Sequence, residues 1–217
     1  MFNRAELKES AKSQLRGKWG SAVLFTFVYV VLVFVASALG YIPIFGYIIS
    51  LLISAPLTVG LIIAYINFVK SNNALKIEDM FLGFNIYGKS LGIILWQSLW
   101  IFLWSLLFFI PGIIKAISYS QSVFIIADNP NVRVTDALKI SMKMTKGYKM
   151  DIFIMGLSFI GWGLLCTLTF GIGSLWLTPY MLTSYTNLYY KLKQKSIESG
   201  VCREDEFNGT ASPFLFK

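Results

Sequence analysis

Histidine is absent from this sequence, cysteine occurs twice, and only eleven carboxylates stand against nineteen lysines and arginines. Each shortage excludes something. Without imidazole, and without two acids close together in an apolar stretch, most metal centres, triad hydrolases and proton relays lack their residues. Cys166 falls in an apolar run and Cys202 in a polar one, with no CxxC spacing, so no disulfide framework or zinc site is expected and both read as ordinary thiols. Charge of either sign is scarce too, at 14% of 217 residues against about 25% in a soluble domain. The expectation is a chain that is not an enzyme and holds no cofactor or metal.

Apolar residues fill the remaining space, at 56%, and they come in three blocks. Trp19 to Val69 runs 51 residues without a charge, Ile152 to Tyr190 runs 39, and Ser90 to Ala127 runs 38 with Lys115 alone. A membrane crossing takes about 20 apolar residues at a rise of about 1.5 Å each, so every block is long enough for two. The first block exceeds the roughly 7–15 apolar residues of a cleaved signal and is read as part of the mature chain. Turn chemistry divides each block near its middle: Gly40-Tyr41-Ile42-Pro43 with Phe45-Gly46, Ile110-Pro111-Gly112, and Thr169-Phe170-Gly171-Ile172-Gly173. An all-α membrane protein follows, with six transmembrane helices in three helical hairpins, near 21–39, 44–69, 91–110, 112–127, 151–168 and 173–190. Residues 1–199 form one polytopic domain in this reading, and 200–217, with Glu204-Asp205-Glu206, read as a disordered cytoplasmic tail.

Eighteen of the nineteen basic residues lie in the N-terminal arm, the 70–89 and 128–149 connections and the C-terminal tail, while the three turns carry none. By the positive-inside rule these four regions are expected in the cytoplasm, so both chain ends are too. A repeat runs through the blocks. Asn3-Arg4-Ala5-Glu6-Leu7 precedes Gly17-Lys18, Ile77-Glu78-Asp79-Met80-Phe81 precedes Gly88-Lys89, and Val134-Thr135-Asp136-Ala137-Leu138 precedes Gly147-Tyr148-Lys149. Each unit reads as a short amphipathic cytoplasmic helix, a glycine-basic joint and a hairpin; Pro56 and Pro179 recur in the second spans of the outer hairpins. Arg4, Lys8, Lys12 and Arg16 form a basic stripe if helical, and Lys139, Lys143 and Lys146 repeat it. These faces are expected to lie on anionic lipid of the inner leaflet, at about 1 kcal/mol per basic residue. A cytoplasmic protein partner is the rival, and nucleic acid is not expected because membrane orientation already accounts for the net charge of +8.

Several stretches, taken together, resemble one family. They are Arg4-Ala5-Glu6-Leu7-Lys8 with Ala11-Lys12, Ile110-Pro111-Gly112-Ile113-Ile114-Lys115, Ala127-Asp128-Asn129-Pro130, Ala137-Leu138-Lys139-Ile140-Ser141, Ser158-Phe159-Ile160-Gly161-Trp162, and Phe170-Gly171-Ile172-Gly173 with Trp176 and Pro179-Tyr180. This set resembles the bacterial integral-membrane family known as domain of unknown function nine-seven-five, over residues 1 to about 195. The resemblance implies a bacterial cytoplasmic membrane, Gram-positive in source, and brings no activity or catalytic residue with it.

Lys115 is the one clear case of an ionisable residue within the membrane in this reading, and Ser118, Tyr119 and Ser122 follow it at i+3, i+4 and i+7 on one face. Three readings stay open: snorkelling to outer phosphates, an anion or lipid-headgroup site on these four residues, and a catalytic lysine of lowered pKa. Thr58, Asn67, Gln97, Thr167, Thr183, Ser184, Thr186 and Asn187 read as interhelical hydrogen bonders, Trp96, Trp100 and Trp104 as a packing stripe, and Asp128 and Asp151 as residues that cap or position helices. The function these features suggest is a non-enzymatic module binding lipid or a membrane-protein partner, in envelope stress or resistance. A small transporter or channel built on the hairpins, and a lipid-modifying enzyme using Lys115, are the alternatives.

Overall fold

The computed structural model describes residues 3–38, 46–107 and 109–209, and all regular structure among them is helical. Helix α1 (Arg4–Leu15) leads into α2 (Trp19–Ala38), and α3 (Gly46–Ser71) is followed by a 3-10 helix (Ile77–Phe81), the single turn α4 (Leu82–Asn85) and α5 (Tyr87–Leu107). Then come α6 (Phe109–Tyr119), α7 (Ser122–Asp128), α8 (Val134–Thr145), α9 (Lys149–Leu168), α10 (Ser174–Glu198) and α11 (Glu204–Asn208). Five stretches among the described residues are long and apolar enough to cross a membrane: Trp19–Ala38, Gly46–Ser71, Tyr87–Leu106, Ile110–Asp128 and Lys149–Leu168. They coincide with five of the six predicted spans. The fourth is assembled from α6 and α7 across a turn at Ser120 and Gln121.

Helix α10, the sixth predicted span, is long enough but too polar to be marked by composition. Its place in the fold supplies the reason. It packs against α1, α2, α3, α8 and α9, and Thr183, Ser184, Thr186, Leu188, Tyr189 and Leu192 are buried. Three of its hydroxyls return to their own helix, Thr183 to the carbonyl of Pro179, Ser184 to Tyr180 and Thr186 to Leu182, each at 2.7–2.8 Å. A buried polar group without a partner costs free energy, and these are satisfied before any neighbour arrives. Helix α3 is the other inner helix, with Leu57, Val59, Gly60 and Ala64 through Ile66 buried.

The repeat is exact in length for two of its three units. Helices α1 and α8 each have twelve residues and α2 and α9 each have twenty, so a shift of 130 positions carries one pair onto the other. Both short helices end the same way: Arg16 and Lys146 turn to extended backbone, and Gly17 (φ 79°) and Gly147 (φ 86°) take the left-handed conformation that a side chain resists. The middle unit departs from the expectation. Ile77–Phe81 is a 3-10 helix, not an amphipathic α-helix, and Gly88 sits in the first turn of α5 rather than at a joint. A close backbone approach explains this. A Cβ on Gly60 would collide with the carbonyl of Met80, and one on Gly83 with the carbonyl of Pro56. Residues 77–83 are thus folded back along α3 to a point eleven residues before its end at Ser71, roughly 16 Å along the axis.

Two more expectations change. Pro111 and Gly112 lie in the first turn of α6, where proline's missing amide hydrogen costs nothing, and not in the connection before it. Gly112 then lets α6 approach Ser105 of α5. Residues 200–209, expected disordered, are packed instead: Cys202, Glu206 and Phe207 are buried, Lys143 pairs with Glu206 at 3.0 Å, and Gly209 abuts Asn131. The turn at 40–45 and the tail beyond 209 lie outside the described residues. Large apolar side chains cover the outside, among them Phe34, Tyr47, Leu106, Ile110 and Leu168, each at least 68% exposed. That surface suits hydrocarbon better than water.

Alanine at Gly60 or Gly83 is expected to destabilise the fold by about 1–3 kcal/mol, the usual range for overpacking. Thermal melts in mild detergent check this, with Gly161→Ala, whose Cβ meets nothing within 4 Å, melting as the parent does.

Candidate functional site

Polar chemistry gathers in three places. The first is the C-terminal ends of α3, α7 and α10. Asp128, the last residue of α7, has a carboxylate that is only 6% exposed. Lys70 of α3 and Lys193 of α10 each reach it at 2.6 Å, and the Tyr189 and Tyr190 hydroxyls donate to it at 2.9 and 3.3 Å. Four donors from two helices converge on an acid supplied by a third, so Asp128 positions helices, as expected for it. The tyrosines were not foreseen. Their signal was present in the adjacent Tyr189-Tyr190 pair, four and three residues before Lys193.

The second place is the break between α6 and α7. Gln121 and Ser122 are fully buried there. Ser141 of α8 donates to the Ser118 carbonyl at 2.7 Å and accepts from the Gln121 amide, while Ser122 donates to the Gln97 side chain at 2.8 Å. Helix α8 thereby closes the break with its own hydroxyls. Among the described residues the Gln121 Oε1 is left buried without a partner.

Lys115 and its three neighbours do not converge on one point. The Lys115 ammonium lies 4.7 Å from the centre of the Trp104 ring and 5.7 Å from that of Tyr119, cation–π contacts between α5 and α6. Ser118 is buried and donates to the Ile114 carbonyl at 2.7 Å, Tyr119 is buried, and Ser122 is committed to Gln97 and the Tyr119 carbonyl. Trp104 is the partner that the tryptophan stripe held; Trp96 and Trp100 pack edge to face.

The third place is α1. Its stripe splits: Lys12 and Arg16 are exposed, whereas Lys8 turns onto α9, donating to Ser158 at 2.6 Å and lying 4.3 Å from the Phe159 ring centre. Burial, and secondarily the charge of Arg4, hold the Lys8 ammonium below the usual lysine range. Arg4 has a buried Nη1 with no acceptor among the described residues. Gln14 and Asn187 exchange amide hydrogen bonds at 3.0 and 3.4 Å, and Lys191 pairs with Glu6, fastening α1 to α10. On α8, Lys139 and Lys146 are exposed and Lys143 faces Glu206. Of the polar span residues, Asn187 and Gln97 do bond between helices, and Thr58 meets Tyr29 at 3.4 Å, while Thr167 bonds within its own helix.

Two enzyme patterns also stand in the sequence and count against the non-enzymatic expectation until they are located. Residues 83–90 read GxxxxGKS, a phosphate loop, and 88–92 read GxSxG, a nucleophile elbow. Both need a strand before the turn, and none occurs among the described residues. Gly83 is packed on Pro56, Lys89 donates to the Pro130 carbonyl, and Ser90 is fully buried, donating to the Gly83 carbonyl at 2.8 Å. The two patterns are used as helix packing. Among the described residues no group of three acid or cysteine side chains is placed to hold a metal ion.

A family model described as Protein of unknown function (DUF975) matches residues 1–118 and 106–196. No curated protein and no solved structure matches.

Because Asp128 is buried and its partners are partly exposed, loss of one lysine is expected to cost little, about 1 kcal/mol or less. The double change Lys70→Gln with Lys193→Gln leaves the buried negative charge with the two phenol donors and no cation, and is expected to cost about 3–5 kcal/mol, well beyond the sum of the singles. A double-mutant cycle of detergent melts measures the difference.

Proposed function

We propose that this chain, which belongs to the DUF975 family of proteins of unknown function, is a six-span protein of the bacterial cytoplasmic membrane that binds lipid and performs no chemistry of its own. Its three hairpins would be α2–α3, α5 with α6–α7, and α9–α10, with both chain ends in the cytoplasm. The arrangement of the charges carries this reading. Asp128, Glu6 and Glu206 are each paired with a basic residue of another helix, and Asp136 with Arg133 at the start of its own helix. The basic residues concentrate at the ends of the apolar helices that carry Lys18, Lys70, Lys89 and Lys193, as the positive-inside rule requires of a cytoplasmic face. Helix α10 supports the sixth span because neighbouring helices, not lipid, surround its polar residues.

The break at Ser120 and Gln121 favours a second reading, a small transporter or channel. Discontinuous membrane helices often surround binding sites, and Gln121 Oε1 has no partner there.

Cysteine scanning in a background without Cys166 and Cys202 tests the topology. Cysteine at Asn73, Asn131 or Glu198 is expected to resist a membrane-impermeant maleimide in intact cells and to react after permeabilisation. Cysteine at Phe170, 99% exposed at the α9–α10 turn, is expected to react in intact cells. Labelling of residue 131 without permeabilisation overturns the six-span arrangement.

A further inference from the structure

An apolar groove of about 450 Å³ lies between α1, the start of α2, α9 and α10. Trp162, Leu165 and Cys166 line it from α9, Trp176 and Tyr180 from α10, and among the described residues Lys12 is the one charged residue in its wall. This volume falls within the range of about 300–1,000 Å³ usual for small-molecule sites. From Trp162 to Thr169 the α9 wall runs roughly 10 Å along the helix axis. Trp162 and Trp176 are at least half exposed, so the groove is open on its outer side.

Charge at this seam is unbalanced. Lys12 and Lys8 are one turn apart on α1; Lys8 lies over Phe159 of α9, one turn before Trp162, and Lys12 reaches the groove itself. Arg4, a further turn back, has its buried Nη1 unpartnered among the described residues. Among the described residues no carboxylate lines the groove, and Glu6 is turned to Lys191. A bundle gains nothing by placing uncompensated cations beside an apolar slot, unless what fills the slot brings the negative charge.

We infer that this groove binds one acyl chain of an anionic glycerophospholipid, whose phosphate rests on Lys12 and Lys8 at the α1 end. The inference rests on the lipid-binding reading above and gives it a location. The chain lies along Trp162 and Cys166, with its headgroup beside Lys12. A phosphate there receives the ammonium donors of two lysines, and Arg4 adds a third positive charge one turn away. Burial of the hydrocarbon between tryptophans supplies affinity, and the cations supply preference for an anionic head.

Native mass spectrometry of the whole protein, reconstituted with an equimolar mixture of phosphatidylglycerol and phosphatidylcholine and then released into mild detergent, tests this. The parent is expected to retain phosphatidylglycerol preferentially. Lys12→Gln is expected to lower that preference about fivefold, the factor that corresponds to about 1 kcal/mol per basic residue, while Lys12→Arg keeps it. Cys166→Phe, which fills the groove, is expected to reduce retention of both lipids, and Lys76→Gln, exposed before the 3-10 helix and away from the groove, to change neither. Melting temperatures of all four variants, close to the parent's, show that they are folded; a variant that melts early is replaced by Leu165→Trp for the filling test. Undiminished preference in Lys12→Gln overturns the groove as the site while leaving lipid binding intact. Absence of retained lipid in the parent overturns the broader reading as well. A copurified polypeptide that Cys166→Phe displaces, in place of lipid, overturns the assignment of the occupant.

Discussion

The bundle depends on one constraint, that the polar side of α10 must not face hydrocarbon. Thr183, Ser184, Thr186 and Asn187 all fall within four positions of one another on a helix otherwise long enough to cross a bilayer. The hydroxyls satisfy themselves on their own backbone, but Asn187 needs an outside partner and takes Gln14 of α1. Once α1 is fastened there, its second basic residue, Lys8, is brought against α9, and its third, Lys12, against the groove. The position of the N-terminal helix and the charge beside the groove are thus consequences of where α10 hides its amide.

Asp128 does the same work at the ends of α3, α7 and α10. A buried carboxylate is costly alone, and here two ammonium groups and two phenols offset that cost. The four contacts tie the ends of three helices to one carboxylate. Packing of α8 against the α6–α7 break follows similar logic: Ser118 has a carbonyl that a continuous helix would have satisfied, and Ser141 supplies the missing donor.

The two repeated units share lengths and joints but not surroundings. Leu7, Ala11 and Leu15 of α1 correspond to Ala137, Ser141 and Thr145 of α8, and all six are buried. In α1 the apolar versions pack beside α10, whereas in α8 the hydroxyl versions close a broken helix. One scaffold thus carries two tasks by changing side-chain chemistry at fixed positions. The middle unit abandons the scaffold where Gly60 and Gly83 bring two backbones into contact.

What the sequence determined by itself was local. Uninterrupted apolar runs set the helices, since length and hydropathy need no knowledge of neighbours, and Gly17 and Gly147 set the joints, since only a residue without Cβ takes that backbone readily. Family membership was legible in short stretches for the same reason. Tertiary structure alone decided what happens to groups far apart in the chain: that Asp128 meets Lys70 and Lys193, that Lys115 rests on Trp104 while its serines turn elsewhere, and that residues 200–209 are packed. It also decided that GxxxxGKS is used in packing, because Gly83 abuts Pro56, Ser90 is buried on the Gly83 carbonyl, and no strand precedes the pattern among the described residues. Periodicity fixes which face a residue lies on, but which helix comes to lie against that face depends on how all the polar groups of the bundle find partners at once.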